Sequence, residues 1–321
     1  MEVISWDERR MLVRVAKMYY TEGLTQSQIA KKINMSRPSV SKFIQKAFDE
    51  KIVEFYIKDE TQLSIELENE LEKKYDLKEA VVVPSYEQDD LLIKRDIGKA
   101  AASYLVKKLE DVSSIGLSWG TALFHMVKEF PYKKIDNLKV VPLVGGLGRE
   151  KGELHSNQLT YELAKKVNGQ SVFLYAPAIA ESVDLKERLV HTDDIKKTLD
   201  EGKNVDIACV GLGNPFVSST MVDIGYLNSD DLKVLEESSV VGDISSRFVD
   251  MNGNRIDNSI NSRVIGIDCD DLKKIKEVVG VAYGESKVRA IQAVLNGGYL
   301  DVLITDDQTA ESLLHLNRSK R

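Results

Sequence analysis

Apolar residues recur at helical intervals through the first fifty positions and then collect in short runs. Met11, Leu12, Val15, Met18 and Tyr19 share one face of a helix over Asp7–Tyr20, which Gly23 ends. Thr25, with Gln28 three residues on, forms a capping-box pattern and opens a short helix, Gln26–Ile33. Asn34-Met35 reads as a turn. Ser36 caps the next helix, and Pro38 stands in its first turn, where a missing N–H costs nothing. That helix runs to Asp49, with Val40, Phe43, Ile44 and Ala47 placed to pack on Ile29, Ala30 and Ile33. Ile52–Ile57 is β-branched and aromatic, so it reads as a strand. Helix, short helix, tight turn, longer helix and strand together predict a winged helix-turn-helix.

The pattern then changes. Thr61–Tyr75 is helical, with Leu63, Leu67 and Leu71 on one face, either packed on the neighbouring domain or forming a seam between chains. From Ala80 short apolar runs recur: Ala80–Val83, Ser114–Leu117, Val140–Val144, Val172–Tyr175, Ile207–Leu212, Val278–Ala282 and Val302–Thr305. Helical stretches separate most of them, among them Leu91–Leu109, Leu123–Glu129, Gln158–Val167, Lys287–Leu295 and Ala310–Leu316. Strands alternating with helices predict a doubly wound, mostly parallel sheet. The fold class is therefore α/β, with a winged head at residues 1–58, a linker helix at 59–78 and a body at 79–321.

Composition sharpens this division. The 321 residues carry a net charge of −7, which argues against a nucleic-acid partner until it is split. Residues 1–58 hold 11 Lys and Arg against 7 Asp and Glu, so the head carries +4 and the remainder −11. Thr25–Lys46 contains five basic residues and no acidic one. A basic head on an acidic body implies two kinds of partner. No apolar run reaches the ~20 residues of a membrane span, and the charged N-terminus MEVISWDERR is no signal peptide. Cys209 and Cys269 sit in apolar runs as core residues, and four scattered histidines show no ligand spacing. The expected address is cytoplasmic, with no metal, no cofactor and no membrane partner.

Recognition helices present their first residues to base edges. Here these include Ser36, Arg37, Ser39 and Lys42, of which Arg37 suits a bidentate pairing with guanine. Lys31, Lys32 and Lys46 are placed for phosphates, and Gln26 and Gln28 open the helix that crosses the backbone. The stretch Tyr19–Phe55 resembles the N-terminal domain of the SorC family of bacterial transcriptional regulators. The resemblance continues through IGLSWGTAL (Ile115–Leu123), VPLVGGLG (Val141–Gly148), DIACVGLGNP (Asp206–Pro215), VGDISSRFVDMNGNRI (Val241–Ile256) and the stretch from Val281 to Leu314. It implies a body similar to phosphosugar isomerases, a phosphorylated sugar as effector, and homodimers or homotetramers.

Open α/β sheets bind ligands at the carboxyl ends of their strands. Four strand-to-helix junctions qualify by their residues. The first holds Ser118, Gly120 and Thr121, where free N–H groups at a helix start point at an anion. The second holds Gly145, Gly146 and Arg149, whose guanidinium offers a fork of donors. The third is Gly211-Leu212-Gly213-Asn214, and the fourth ends at Lys287. Asp243 can accept from sugar hydroxyls, and Asn157 and Gln158 open a helix near the second junction. The resemblance implies effector contacts at Gly120, Thr121, Gly145, Gly146, Asp243 and Lys287. A deoxyribose-phosphate branch of the family uses a lysine just before the Gly-Gly pair. Val144 stands there, so reversible, non-covalent binding is expected. The segment SNQLTYELAKKVNG (Ser156–Gly169) is similar to the sorbitol/sorbose branch, pointing to a hexitol or ketohexose phosphate.

The expected function is regulation of a carbohydrate-utilisation operon, with operator duplex DNA and a phosphorylated sugar or polyol as partners. The alternative is a sugar-phosphate isomerase or deaminase fused to a DNA-binding head. No motif pairs Asp243 with His155 as an acid and a base, which weighs against it. Gly211-Leu-Gly213 suggests a dinucleotide site, but Phe216 stands where the third glycine or alanine is needed.

Overall fold

The computed structural model describes residues 5–53, 62–85, 89–146 and 151–316. It divides into two compact units, at residues 1–62 and 63–321.

In the first unit α1 (Trp6–Ala16) continues into a wider π-helical turn, Lys17–Thr21. The capping box forms as its residues dictate: Thr25 N–H donates to Gln28 Oε1 at 2.9 Å, and Gln28 N–H returns to Thr25 Oγ1 at 3.3 Å. It opens α2 (Gln26–Lys32). Asn34, at φ 56°, makes the left-handed turn, and Ser36 caps α3 (Arg37–Asp49). Leu12, Val15, Met18, Ile29, Val40 and Ile44 form the buried centre. The three helices are consistent with a helix-turn-helix. Ile52 and Val53, expected to start a strand, instead turn back and pack beside Leu12, Ala16 and Ala47. The rest of the expected wing, residues 54–57, lies outside the described residues.

The second unit begins with α4 (Gln62–Tyr75). Leu67, Leu71 and Tyr75 are buried against the body's own core, so the apolar stripe is used within the chain, while Leu63 and Ile65 stay exposed. The chain then runs β1 (Glu79–Val83), α5 (Asp90–Lys108), β2 (Ser114–Leu117), α6 (Thr121–Glu129), β3 (Lys139–Pro142), α7 (Ser156–Val167) and β4 (Gln170–Ser171). It continues through α8 (Val183–Val190), α9 (Asp193–Lys203), β5 (Ile207–Gly213), α10 (Thr220–Asp223), α11 (Ser229–Glu237), β6 (Gly242–Ile244) and β7 (Arg247–Val249). It closes with α12 (Cys269–Leu272), β8 (Glu277–Val281), α13 (Val288–Asn296), β9 (Val302–Asp306) and α14 (Asp307–His315).

Seven strands pair in parallel in the order β1-β9-β8-β5-β2-β3-β4, and the antiparallel hairpin β6–β7 hangs from the end of β5. Alternation along β5 sends Ile207 and Cys209 to one face and Ala208 and Val210 to the other. The first face is covered by α5, α6 and α7, the second by α4, α13 and α14. Val172–Tyr175, expected as a strand, is not one: the paired strand is the two-residue β4 just before it, and the chain leaves the sheet after a last bond from Val172 N–H to Val140 O at 3.0 Å. The Asn157 side chain grips Leu174 at both backbone groups, at 2.9 and 3.0 Å, and diverts the chain. At the other edge α4 runs beside β1. Glu72 and Glu68 accept from the Ala80 and Val82 N–H groups at 2.9 and 2.8 Å.

Candidate functional site

Between β2 and β5 the strand order reverses. The chain builds outward from β2 to β3 and β4, then returns to β5 and builds the other way to β8 and β9. A ligand crevice belongs at such a switch point. A cleft of about 510 Å³, counted to its open mouth, lies there. It is lined by Trp119–Ala122 after β2, Gly211–Asn214 at the end of β5, Ser218–Met221, Asp243, Val281 and Lys287.

Gly120 caps α6 at φ 115° and ψ 172°, a region essentially confined to glycine, and no side chain caps this helix. The first amides of α6 therefore remain available to an anion. Gly213 serves a different need. A Cβ there would lie 2.1 Å from Asp243 Oδ1, so only glycine leaves space for that carboxylate. Asp243 is buried and accepts from Ser246 N–H at 3.1 Å. Burial pushes its carboxyl up to about 6, against that hydrogen bond and the charge of Lys287. Burial lowers the Lys287 ammonium below the ordinary lysine value, and Asp243 opposes the shift. Lys287 also lies over the Tyr283 ring, 5.6 Å from its centroid. Behind the cleft, Trp119 Nε1 donates to Ser246 Oγ at 2.9 Å, and Tyr226 packs edge-on to Trp119.

A folded-state value near 6 lies above the ~4 of an unfolded carboxylate. The stability Asp243 contributes is therefore full below that unfolded value and lost as pH rises through about 6. Between pH 4.5 and 7 the thermal midpoint of the wild type will fall relative to that of Asp243→Asn. Parallel melting curves for both chains, taken at several pH values, check this.

The cleft thus gathers Gly120, Thr121, Asp243 and Lys287, together with the third junction. Ser118 lies just behind it, its Oγ accepting from Gly211 N–H at 3.0 Å and tying β2 to β5. Gly145 and Gly146 do not line it. Their N–H groups are bonded to Ile265 and Ala176, and Gly145 packs against the Pro177 carbonyl. Asn157 is committed to Leu174, and Gln158 donates to Glu162 at 3.1 Å. Arg149 lies outside the described residues. Ser218, Ser219 and Thr220, which sequence reasoning passed over, add three hydroxyl-bearing residues to the wall. A run of three hydroxyls just after the Gly-rich end of β5 is the signal that could have marked them.

In the head, Arg37, Lys31, Lys32 and Lys42 are exposed, as is Gln28, while Gln26 is half-buried. Ser36 Oγ accepts from Ser39 N–H at 3.2 Å and also meets Ser39 Oγ at 2.8 Å. Lys32 pairs with Glu22 at 3.5 Å and Lys46 with Glu8 at 2.5 Å.

A helix-turn-helix head joined to an α/β body with a polar cleft at its switch point defines a transcriptional regulator that senses a small molecule. Comparison with known proteins agrees. Residues 59–315 match the Sugar-bind family model, described as "Putative sugar-binding domain". The deoxyribonucleoside regulator of Bacillus subtilis is 31% identical over 309 residues, covering 96% of this chain and 98% of that protein. The crystal structure of the full-length sorbitol operon regulator SorC from Klebsiella pneumoniae superposes with a TM-score of 0.75 at 29% identity, covering 96% of this chain and 99% of that one. A DeoR family transcriptional regulator from Listeria monocytogenes gives a TM-score of 0.73 at 39% identity, over 78% of this chain and 99% of that one. The chain belongs to the SorC family of bacterial transcriptional regulators. These relatives are regulators, not enzymes, and this chain is a regulator too. Among the described residues, no helix is long and apolar enough to cross a membrane.

Proposed function

We propose that this protein is a cytoplasmic regulator of a carbohydrate-utilisation operon, controlled by a phosphorylated sugar or polyol held non-covalently in the cleft. The observation that carries the reading is the meeting of three elements in one cleft: the uncapped start of α6 at Gly120, the Lys287 ammonium and the buried Asp243 carboxylate. The amides and the cation suit a phosphate, and the carboxylate suits sugar hydroxyls. Val144, buried and bridged to Gly266, supplies no amine for a Schiff base. The relatives named for sorbitol and deoxyribonucleosides support a carbohydrate-derived effector. The functional unit is a homodimer or homotetramer, whose symmetry is mirrored in a palindromic operator.

In this reading Ser36, Arg37, Ser39 and Lys42 face the major groove. Gln26, Gln28, Lys31, Lys32 and Lys46 hold the phosphates. Arg37→Ala will weaken operator binding about 5- to 150-fold and relax the base preference at one position. Lys31→Ala will weaken operator and random DNA alike and reduce the salt slope by about one. Fluorescence anisotropy on the promoter beside the protein's own gene, run at several salt concentrations, separates the two. Wild-type binding no tighter to that promoter than to random DNA at equal salt rejects the regulator reading.

A further inference from the structure

Both ends of α14 are fastened, and to different parts of the body. At its start, Gly284 N–H donates to Asp306 Oδ2 at 3.1 Å and to Thr309 Oγ1 at 2.8 Å. Thr309 returns its own N–H and hydroxyl to Asp306, each at 2.7 Å. Asp306 and Thr309 are buried, and Gly284 opens the turn that carries Lys287 into the cleft. The last carbonyls of a helix have no partner within it. Here Lys74 Nζ donates to Leu313 O and Leu314 O at 2.8 Å and to Leu316 O at 2.5 Å, and Tyr75 OH donates to Leu313 O at 3.1 Å. Three ammonium protons meet three carbonyls, and a cation at a helix C-terminus is favourable. Lys74 and Tyr75 belong to α4, the helix from which the chain runs back toward the DNA-reading unit.

We propose that α14 couples the effector cleft to the linker helix α4, with Lys74 as the coupling residue. The inference rests on the reading of the cleft as the effector site. An anion that draws Lys287 inward displaces the Gly284 turn. The turn's two bonds carry the displacement to the start of α14, a stiff rod of nine residues and about 13 Å. The far end moves α4 through the Lys74 fork. Coupling of this kind is a free-energy difference shared by two sites, and it is lost when the connecting contact is removed.

The test uses the full-length chain with Lys74→Met, Lys74→Arg and Thr309→Val, and glucitol 6-phosphate as the probe. Lys74→Met should bind the probe within about twofold of wild type. The probe-induced change in operator affinity should shrink about 3- to 30-fold. Thr309→Val should do the same from the other end, and Lys74→Arg should restore the response. Amide hydrogen exchange measured without any ligand should quicken at residues 284–287 in Lys74→Met, although that substitution is at the opposite end of α14. An unchanged operator response in both Lys74→Met and Thr309→Val overturns the proposal, as does unchanged exchange at 284–287. If no sugar phosphate binds the wild type, the reading of the cleft fails, and the exchange measurement still decides the role of α14.

Discussion

Replacing Lys287 with methionine will weaken binding of a phosphorylated effector by about 30- to 1000-fold, equivalent to about 2–4 kcal/mol. Methionine keeps most of the aliphatic volume, so the wall of the cleft stays filled. What disappears is the only cation among the described residues that line it. Two costs add. The phosphate loses a charge-assisted contact, and the buried Asp243 loses the positive charge that holds its carboxyl down. Without that charge Asp243 keeps its proton to higher pH and becomes a poorer acceptor for sugar hydroxyls. Lys287→Arg keeps the charge and should recover part of the affinity. Titration calorimetry with glucitol 6-phosphate, followed by other hexose and pentose phosphates, measures both variants. Wild-type affinity in Lys287→Met would place the anion site elsewhere. Melting curves of the ligand-free variants separate a binding defect from a folding one.

Arg247→Met will lower the stability of the body by about 3–5 kcal/mol. Its guanidinium is buried and donates to three backbone carbonyls, Ile267 O, Asn261 O and Gly266 O, at 3.2, 3.1 and 2.8 Å. Methionine offers no donor, so Ile267 O and Gly266 O lose the guanidinium's bonds and Asn261 O keeps only the longer bond from Val264 N–H, at 3.4 Å. At about 2–4 °C per kcal/mol, the midpoint should drop by about 6–20 °C in a thermal scan. The effect reaches function because Arg247 begins β7, and β7 pins the short strand β6 that presents Asp243. The variant should therefore bind effector poorly even below its melting transition. A midpoint within 2–3 °C of wild type, about 1 kcal/mol, would mean that water replaces the guanidinium at those carbonyls.

The elements that sequence made legible are those whose signal is local. Thr25 and Gln28 specify their own capping box, and Ser36 its own cap. The runs at Ile207 and Val302 are too apolar and β-branched to be anything but interior strands. The hairpin β6–β7 carries no such signal. Its strands are three residues long, and its turn uses Ser245 and Ser246 at φ 51° and 68°, where the usual cue is Asn-Gly. Tertiary contacts hold these two serines left-handed, including the bond from Trp119 to Ser246. Helices α8 and α9 were hidden for another reason. Helix α9 buries little more than Ile195, Thr198 and Leu199, and α8 buries nothing fully. The site divides the same way. Glycines beside strand ends were visible one by one. That three junctions share a cleft while Gly145 and Gly146 lie outside it follows from strand order. Sequence spacing does not disclose strand order.

The bonds from Glu68 and Glu72 of α4 to β1 have a further consequence. Residues four apart on a helix rise about 6 Å, close to the span of residues two apart on a strand, near 6.6 Å. Glu68 and Glu72 therefore meet Val82 and Ala80 in register, in the positions the carbonyls of an added strand would occupy. Helix α4 acts as a surrogate strand and seals an edge that would otherwise invite another chain to pair. Sheet-to-sheet joining of subunits is barred at β1, and among the described residues strand addition to the seven-stranded parallel sheet is left to its opposite edge at β4. Aggregation from the β1 edge requires α4 to lift away first.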